Sequence, residues 1–375
     1  MQIPMVDLKG QYLKIKPEID NAIQSVIDSS AFINGLPVGE FATNLENYTG
    51  ARHVIPVANG TDALQIALMA LGLQPGDEVI IPAFTYIASA EVVALLGLVP
   101  VMVDVDYDSF NITAAHIQKA ITSKTKAIIP VHLFGQSCLM EEILQLAEAN
   151  DLFVVEDNAQ AIGAVYSFSD GREQQTGTMG HFGCTSFFPT KNLGCMGDGG
   201  ALMTNDDDLA FRAKMIACHG QSKKYVHDVI GCNSRLDTIQ AAILNVKLHH
   251  LNDYIKERQV AAKRYYDGLS GLNSIVLPRK MPFTSHVFHQ FTIKVTDGHR
   301  DELKSFLAAH GIPCMIYYPL PLQQQEAFAD IAREGDELTT SDLLCQQVLS
   351  LPMHTELTEE VQIFIIDKIR EYAEQ

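Results

Sequence analysis

Leu152-Phe153-Val154-Val155-Glu156-Asp157 is a short apolar run that ends on two acids, and Ser186-Phe187-Phe188-Pro189-Thr190-Lys191-Asn192-Leu193-Gly194 places a lysine thirty-four residues after the second of them. An acid at the carboxyl end of a buried strand can hold a protonated ring nitrogen. A lysine on a neighbouring Gly-rich loop can condense with an aldehyde. The two together suit pyridoxal phosphate. Singly, each has a plainer reading, as a solvated loop lysine and a helix-capping aspartate.

The run at 152–155 is one of a series. Short apolar stretches at 54–58, 78–82, 99–103 and 127–131 precede it, separated by amphipathic segments. Such alternation builds a mainly parallel sheet with helices on both faces, and ligands collect at the carboxyl edges of its strands. Asp104, Asp106, His132 and Asp157 all follow strand candidates. Past Gly200 the pattern changes. Residues 236–266 read as one or two long helices, with Ile239, Ile243, Val246 and Leu248 on an apolar face. From about residue 270, strand candidates such as 288–295 alternate with helices such as 301–310. The expected organisation is therefore a large α/β domain over 1–250 and a small α+β domain over 251–375. A helix at 17–29 should pack on one or the other, and the charged stretch 333–337 reads as an exposed turn.

The chain has 375 residues, 47% of them hydrophobic, enough for one large core and a smaller one. A formal net charge of −18 opposes attraction to nucleic acid or anionic lipid. The longest apolar stretch, 83–101, is broken by Thr85, Ser89, Glu91 and Pro100 and fits helix plus strand better than a membrane span. The first residues lack a basic segment followed by a long apolar one, so no secretory signal is expected and the cytoplasm is the expected location. The seven cysteines are scattered and form no Cys-x-x-Cys pair, which points to reduced, mostly buried thiols. His249-His250 and His286-x-x-His289 lack a third ligand at useful spacing; no metal site is expected, and these read as surface or core histidines.

Asn59-Gly60-Thr61-Asp62-Ala63-Leu64 lies between a strand and a helix pattern, so the Thr61 and Asp62 amides can face an anion at a helix start; the alternative is an ordinary N-cap. Ser186 can add a hydroxyl to the same phosphate. Pro82-Ala83-Phe84-Thr85-Tyr86 ends a strand with an aromatic pair that can stack on a flat ring or belong to the core. In Asp157-Asn158-Ala159-Gln160 the carboxylate suits a pyridinium nitrogen and the Gln160 amide a ring oxygen.

Gly60-Thr61-Asp62-Ala63-Leu64, Glu156-Asp157-Asn158-Ala159-Gln160, Ser186-Phe187 with Lys191, and Gly197-Asp198-Gly199-Gly200 together resemble the DegT/DnrJ family of sugar-nucleotide aminotransferases, over nearly the whole chain. The resemblance implies the aspartate aminotransferase-like fold, fold type I, with pyridoxal 5'-phosphate as cofactor. It makes Lys191 the catalytic lysine, Asp157 the pyridinium partner, Tyr86 a stacking ring and Gln160 its neighbour. Gly60, Thr61, Asp62 and Ser186 would hold the phosphate. Asn233 would reach it from the neighbouring subunit of a homodimer with shared active sites. Within the family, Cys184 to Pro189, Gly194 to Gly200 and Asn233-Ser234-Arg235-Leu236-Asp237 resemble the branch that aminates C3 of UDP-2-acetamido-2-deoxy-3-oxo-glucuronate with glutamate as donor. There Arg235 would pair with a carboxylate, as a planar bidentate group does best; a structural ion pair with Asp237 is the other reading. His219, Tyr317 and Tyr318 are the further substrate candidates. Tyr317-Tyr318-Pro319 departs from the branch, which has His-Tyr-Pro. Lys223 and Lys224 read as diphosphate contacts or a solvated pair.

The implied function is transfer of the glutamate amino group to that keto sugar, for surface polysaccharide synthesis. Amination at C3 or C4 of a keto-6-deoxy sugar nucleotide stays open. Cysteine desulfuration would need a mobile thiol, and Cys345 lies in an apolar helical context. The related dehydratases resemble this chain except for a histidine where Lys191 stands. A non-catalytic regulator could share the fold, but Lys191 and Asp157 are both kept.

Overall fold

The computed structural model describes residues 3–374. Its main sheet has eight strands in the order His53–Val57, Gly200–Thr204, Phe182–Ser186, Phe153–Asp157, Thr125–Ile128, Glu78–Pro82, Val99–Val103 and Arg333–Glu334. From Phe182–Ser186 to Arg333–Glu334 every pairing is parallel, while Gly200–Thr204 runs antiparallel to both its neighbours. Side chains alternate between two buried faces, as the pleat requires. Val79, Ile81 and Met102 pack under the helices Gly60–Ala70, Ala88–Leu95 and Asp207–Ala217. Ile80, Val101 and Val103 face the opposite way, toward Ile117 and Ile143 on Ala114–Ala120 and Met140–Ala149. The strand Thr125–Ile128 stops short of the expected 131, and Pro130, which has no N–H to pair, follows.

The long helical segment is two helices, Thr238–His249 and Leu251–Leu269. A second core forms where Leu251–Leu269, Arg300–Ala309 and Glu359–Ala373 cover the antiparallel sheet of Ile275–Val276, Phe291–Val295 and Val348–Leu351, with Tyr265, Phe291, Leu303 and Ile365 at its centre. Ile3 belongs to this core. The helix Lys16–Ser29 instead packs through Ile19 on Ile243 of Thr238–His249. Among the described residues no helix is long and apolar enough to cross a membrane.

The stretch 333–337 is not an exposed turn. Arg333–Glu334 is the outermost parallel strand, and the Gly335 N–H donates to the Met102 carbonyl at 2.7 Å. Two of its charges meet the large domain: Arg333 donates to Glu78 at 3.1 Å and to the Ala120 carbonyl at 2.9 Å, and Asp336 accepts from Lys119 at 3.0 Å, while Glu334 and Glu337 are exposed.

Glu156, fully buried beside Asp157, holds the centre of the sheet to the loop before the next strand. Its carboxylate accepts the Met179 and Gly180 N–H groups at 2.7 Å, the Gly177 N–H at 2.8 Å and His132 Nε2 at 2.9 Å. The Cys138 N–H donates to His132 Nδ1, so Nε2 carries the ring proton. A Cβ on Gly183 would sit 2.0 Å from the Gly177 carbonyl oxygen, so the loop can lie this close only over glycine. Glu156→Ala strands these donors in the interior and should lower unfolding free energy by about 3 kcal/mol or more. Urea denaturation checks this; an unchanged midpoint would show that the carboxylate does not hold the loop.

Candidate active site

A cavity of about 460 Å³ opens at the carboxyl ends of the parallel strands, where Asn59, Tyr86, Asp157 and Ser186 emerge. Asp157 is 6% exposed. Ser89 Oγ donates to its Oδ2 at 2.7 Å and the Ala159 N–H to its Oδ1 at 3.1 Å. A carboxylate has about four acceptor positions, so the cavity side of Asp157 remains available to a donor.

Lys191 lines the same cavity, half-buried. Its loop closes on itself: the Lys191 N–H donates to the Phe188 carbonyl, the Cys195 N–H to the Phe187 carbonyl, both at 2.8 Å, and a Cβ on Gly194 would lie 2.4 Å from the Pro189 oxygen. From outside the loop the buried Lys247 donates to the Gly194 carbonyl at 2.6 Å. Burial pushes the Lys191 amine down from its ordinary 10.5 to about 8, against the pull of the Asp157 carboxylate, which favours the charged form. An amine in that range is both a nucleophile and a proton carrier near neutral pH.

At the helix start Asn59, not Asp62 or Thr61, is the N-cap: its Oδ1 accepts the Asp62 N–H at 2.8 Å. Gly60 and Thr61 reach the cavity wall, with their amides unpartnered among the described residues, and Ser186 lies against them. A Cβ on Gly60 would come 2.8 Å from Ser186 Cβ, so the glycine brings hydroxyl and helix start together. Gln160 is held in one orientation, its Oε1 accepting the Phe134 N–H at 2.7 Å and its Nε2 donating to the Tyr318 hydroxyl at 3.3 Å. Tyr86, 57% exposed, stands with its ring centre 6.2 Å from that of Tyr318, whereas Phe84 is buried among Phe110 and Phe134.

One chain thus brings together Gly60, Thr61, Tyr86, Asp157, Gln160, Ser186, Lys191, Tyr317 and Tyr318. Asp62 turns away, accepting from Ser234 Oγ at 2.5 Å. Asn233, Arg235 and His219 do not line this cavity; Asn233 and His219 are exposed and Arg235 half-buried. Lys223 and Lys224 are exposed beside the turn of a hairpin. Ser89, Thr85, Phe134 and Gln290 touch Asp157 or wall the cavity without having been singled out as site residues from the sequence, and His289, expected to be a surface or core histidine, also lines it. For His289 the one available signal was a polar ring in an apolar strand candidate.

The donor set fits pyridoxal phosphate: a carboxylate for the ring nitrogen, an amine for the aldehyde, free amides and a hydroxyl at a helix start for the phosphate. A model of the DegT/DnrJ/EryC1/StrS aminotransferase family matches residues 13–370. The chain belongs to this family. It is 46% identical over 374 residues to a pleiotropic regulatory protein of Geobacillus stearothermophilus, covering 99% of each chain. It is 44% identical over 352 residues to the UDP-2-acetamido-2-deoxy-3-oxo-D-glucuronate aminotransferase of Pseudomonas aeruginosa, covering 94% of this chain and 95% of that one. The crystal structure of NtdA from Bacillus subtilis with bound cofactor PMP superposes with a TM-score of 0.90 at 31% identity, covering 100% of this chain and 86% of that one. The fold is that of the pyridoxal phosphate-dependent aminotransferases, and pyridoxal phosphate is this enzyme's cofactor.

Gly60→Ala should leave the fold intact and weaken cofactor binding by about tenfold or more, since roughly 1.4 kcal/mol of lost contact suffices; titration with pyridoxal phosphate checks this. Below about 8 the Lys191 amine is protonated and unreactive. The rate of covalent capture of added pyridoxal phosphate should therefore rise with pH through about 8 and then level. A rate still climbing at the ordinary lysine value would contradict the burial effect.

Proposed function

We propose that the protein moves the amino group of L-glutamate to C3 of UDP-2-acetamido-2-deoxy-3-oxo-glucuronate, in the cytoplasm, for surface polysaccharide synthesis. Family membership and the relatives make it a pyridoxal phosphate-dependent sugar-nucleotide transaminase. The observation that carries this is a lysine amine and a buried carboxylate on one cavity wall. The uronate is supported by the Pseudomonas aeruginosa relative and by the arginine at 235. A likeness to a regulatory protein does not outweigh this, because fold is compatible with either role while Lys191 and Asp157, the two groups the chemistry needs, are both in place on the cavity wall.

When bound, pyridoxal phosphate supplies the aldehyde that takes up the amino group and the protonated ring that draws electrons from the reacting carbon. Asp157 would keep the ring nitrogen protonated through its open acceptor positions. Gly60, Thr61 and Ser186 would hold the phosphate, Tyr86 would cover the ring, and Gln160, fixed by Phe134, would meet its oxygen. Lys191 Nζ takes the proton from the substrate carbon and returns it, running one way for the amino acid and the other for the keto sugar.

The site is read as shared within a homodimer. Among the described residues Lys191 is the one cationic side chain on the cavity wall, too few for a phosphate, a diphosphate and a uronate. Asn233 and Arg235 follow a segment with Tyr225, Val226, Val229 and Ile230 exposed at 81%, 50%, 43% and 87%, an apolar surface suited to burial by a second copy. In this reading the chain divides near residue 250, with the small domain carrying Tyr317 and Tyr318 to the sugar.

Lys191→Ala should abolish transfer while circular dichroism shows an unchanged fold. The aminated form of the wild-type protein should aminate UDP-2-acetamido-2-deoxy-3-oxo-glucuronate in one turnover, read by mass spectrometry, in preference to 4-keto-6-deoxy sugar nucleotides. Reaction with a 4-keto sugar alone would overturn the C3 assignment and the role of Arg235.

A further inference from the structure

His289 is a cavity-wall residue, 6% exposed, with Nδ1 sealed from solvent and without a partner. Among the described residues Nε2 makes no hydrogen bond to protein, so it is the ring atom left for the cavity. The backbone of His289 is held by Arg258 of the helix Leu251–Leu269, 3% exposed. A guanidinium so buried normally pairs with an acid. Arg258 has none among the described residues; its Nη1 donates to the carbonyls of Phe288 at 3.1 Å, His289 at 3.3 Å and Met353 at 3.1 Å, and its Nε is unpartnered. The chain is thus pinned on both sides of His289, from the Phe288 carbonyl to Gln290, whose N–H donates to the Phe134 carbonyl at 3.3 Å.

The charged groups acting on the ring are Lys191, from the catalytic loop, and Arg258; the other titratable groups on the cavity wall are Asp157, Asp198, Tyr86, Tyr317 and Tyr318. Burial and the two cations hold the imidazole well below its ordinary range, so it is neutral. A neutral ring has one N–H. Placing it on Nδ1 would bury a donor without an acceptor, whereas on Nε2 it faces the cavity, where a ligand can accept it.

We propose that the sealed Nδ1 keeps His289 in the Nε2–H tautomer, on a segment that Arg258 holds in place, and that this N–H donates to a hydroxyl or carbonyl oxygen of the bound sugar beside Lys191. The oxygen is an uncharged one because a neutral donor suits it, whereas a carboxylate is better met by a guanidinium. The ligand assignment rests on the sugar transaminase reading; the tautomer does not. His289 therefore contacts substrate and Arg258 positions it.

Nitrogen-15 NMR of histidine-labelled holoenzyme, with His289 assigned by its loss in His289→Gln, reads the tautomer directly. The result expected is an Nε2–H ring that does not titrate between about pH 5 and 8, the span in which an unperturbed histidine would. An Nδ1–H ring, or a charged one, overturns the proposal. Stopped-flow absorbance then separates the two half-reactions, using L-glutamate and the keto-sugar nucleotide that turns over fastest in the mass-spectrometric assay. His289→Ala should lower kcat/KM for the sugar half-reaction by roughly ten- to a hundredfold, the effect of a buried polar contact left unmade, with the glutamate half-reaction unchanged. His289→Gln, which keeps a neutral N–H at similar reach, should restore it. Equal losses in both half-reactions, or no loss in either, would overturn the contact with sugar.

Discussion

The active site depends on one incompletely satisfied carboxylate. Asp157 ends a strand buried on both faces and, among the described residues, receives only the Ser89 hydroxyl and the Ala159 amide. A buried anion in that condition is costly unless a cationic donor answers it. The parallel sheet supplies the geometry for this, because all its strands but Gly200–Thr204 point their carboxyl ends to the same side and leave a cavity there. A protonated ring nitrogen fits the open side of the carboxylate, and the charge of Asp157 also reaches Lys191 across the cavity.

Desolvation acts in opposite senses on the two residues. It makes Asp157 seek a cation and loosens the hold of Lys191 on its proton, bringing the amine down to about 8, so that a fraction of it is a free proton acceptor near neutral pH. Tight backbone approaches keep them there. Gly60 against Ser186, Gly183 against Gly177 and Gly194 against Pro189 each exclude a side chain, and Glu156 ties the strand of Asp157 to the loop that precedes the strand of Ser186. Buried cations with no acid partner among the described residues do the same from outside: Lys247 holds the catalytic loop by Gly194, and Arg258 holds the segment that carries His289.

Much of this was legible in the sequence because the chemistry requires uncommon residues at strand ends. The apolar runs at 78–82 and 99–103 coincide with strands, since a strand buried on both faces must be apolar throughout. Phe182–Ser186 and Gly200–Thr204 went unread: their glycines and small polar residues give no apolar run, and their burial comes from neighbours far away in sequence. Asn59 and Asp62 are equally good caps on paper, and only the side-chain geometry selects Asn59 and turns Asp62 to Ser234. Arg333–Glu334 looked solvated because the partners of its charges, Glu78 and the Ala120 carbonyl, lie more than two hundred residues earlier. His289 likewise takes its surroundings from Lys191 and Arg258, which no local pattern brings together.

The most direct measurement is the absorption of the protein loaded with pyridoxal phosphate, at the edge of the visible, when common L-amino acids are added one at a time to wild type and to Asp157→Ala. If Asp157 is what makes the lysine-bearing cavity a working aminotransferase, the wild-type band disappears rapidly with one donor, L-glutamate first among them, while the band of Asp157→Ala forms but persists. A wild-type band that no amino acid discharges, or an Asp157→Ala band that discharges as fast as the wild type, would contradict it.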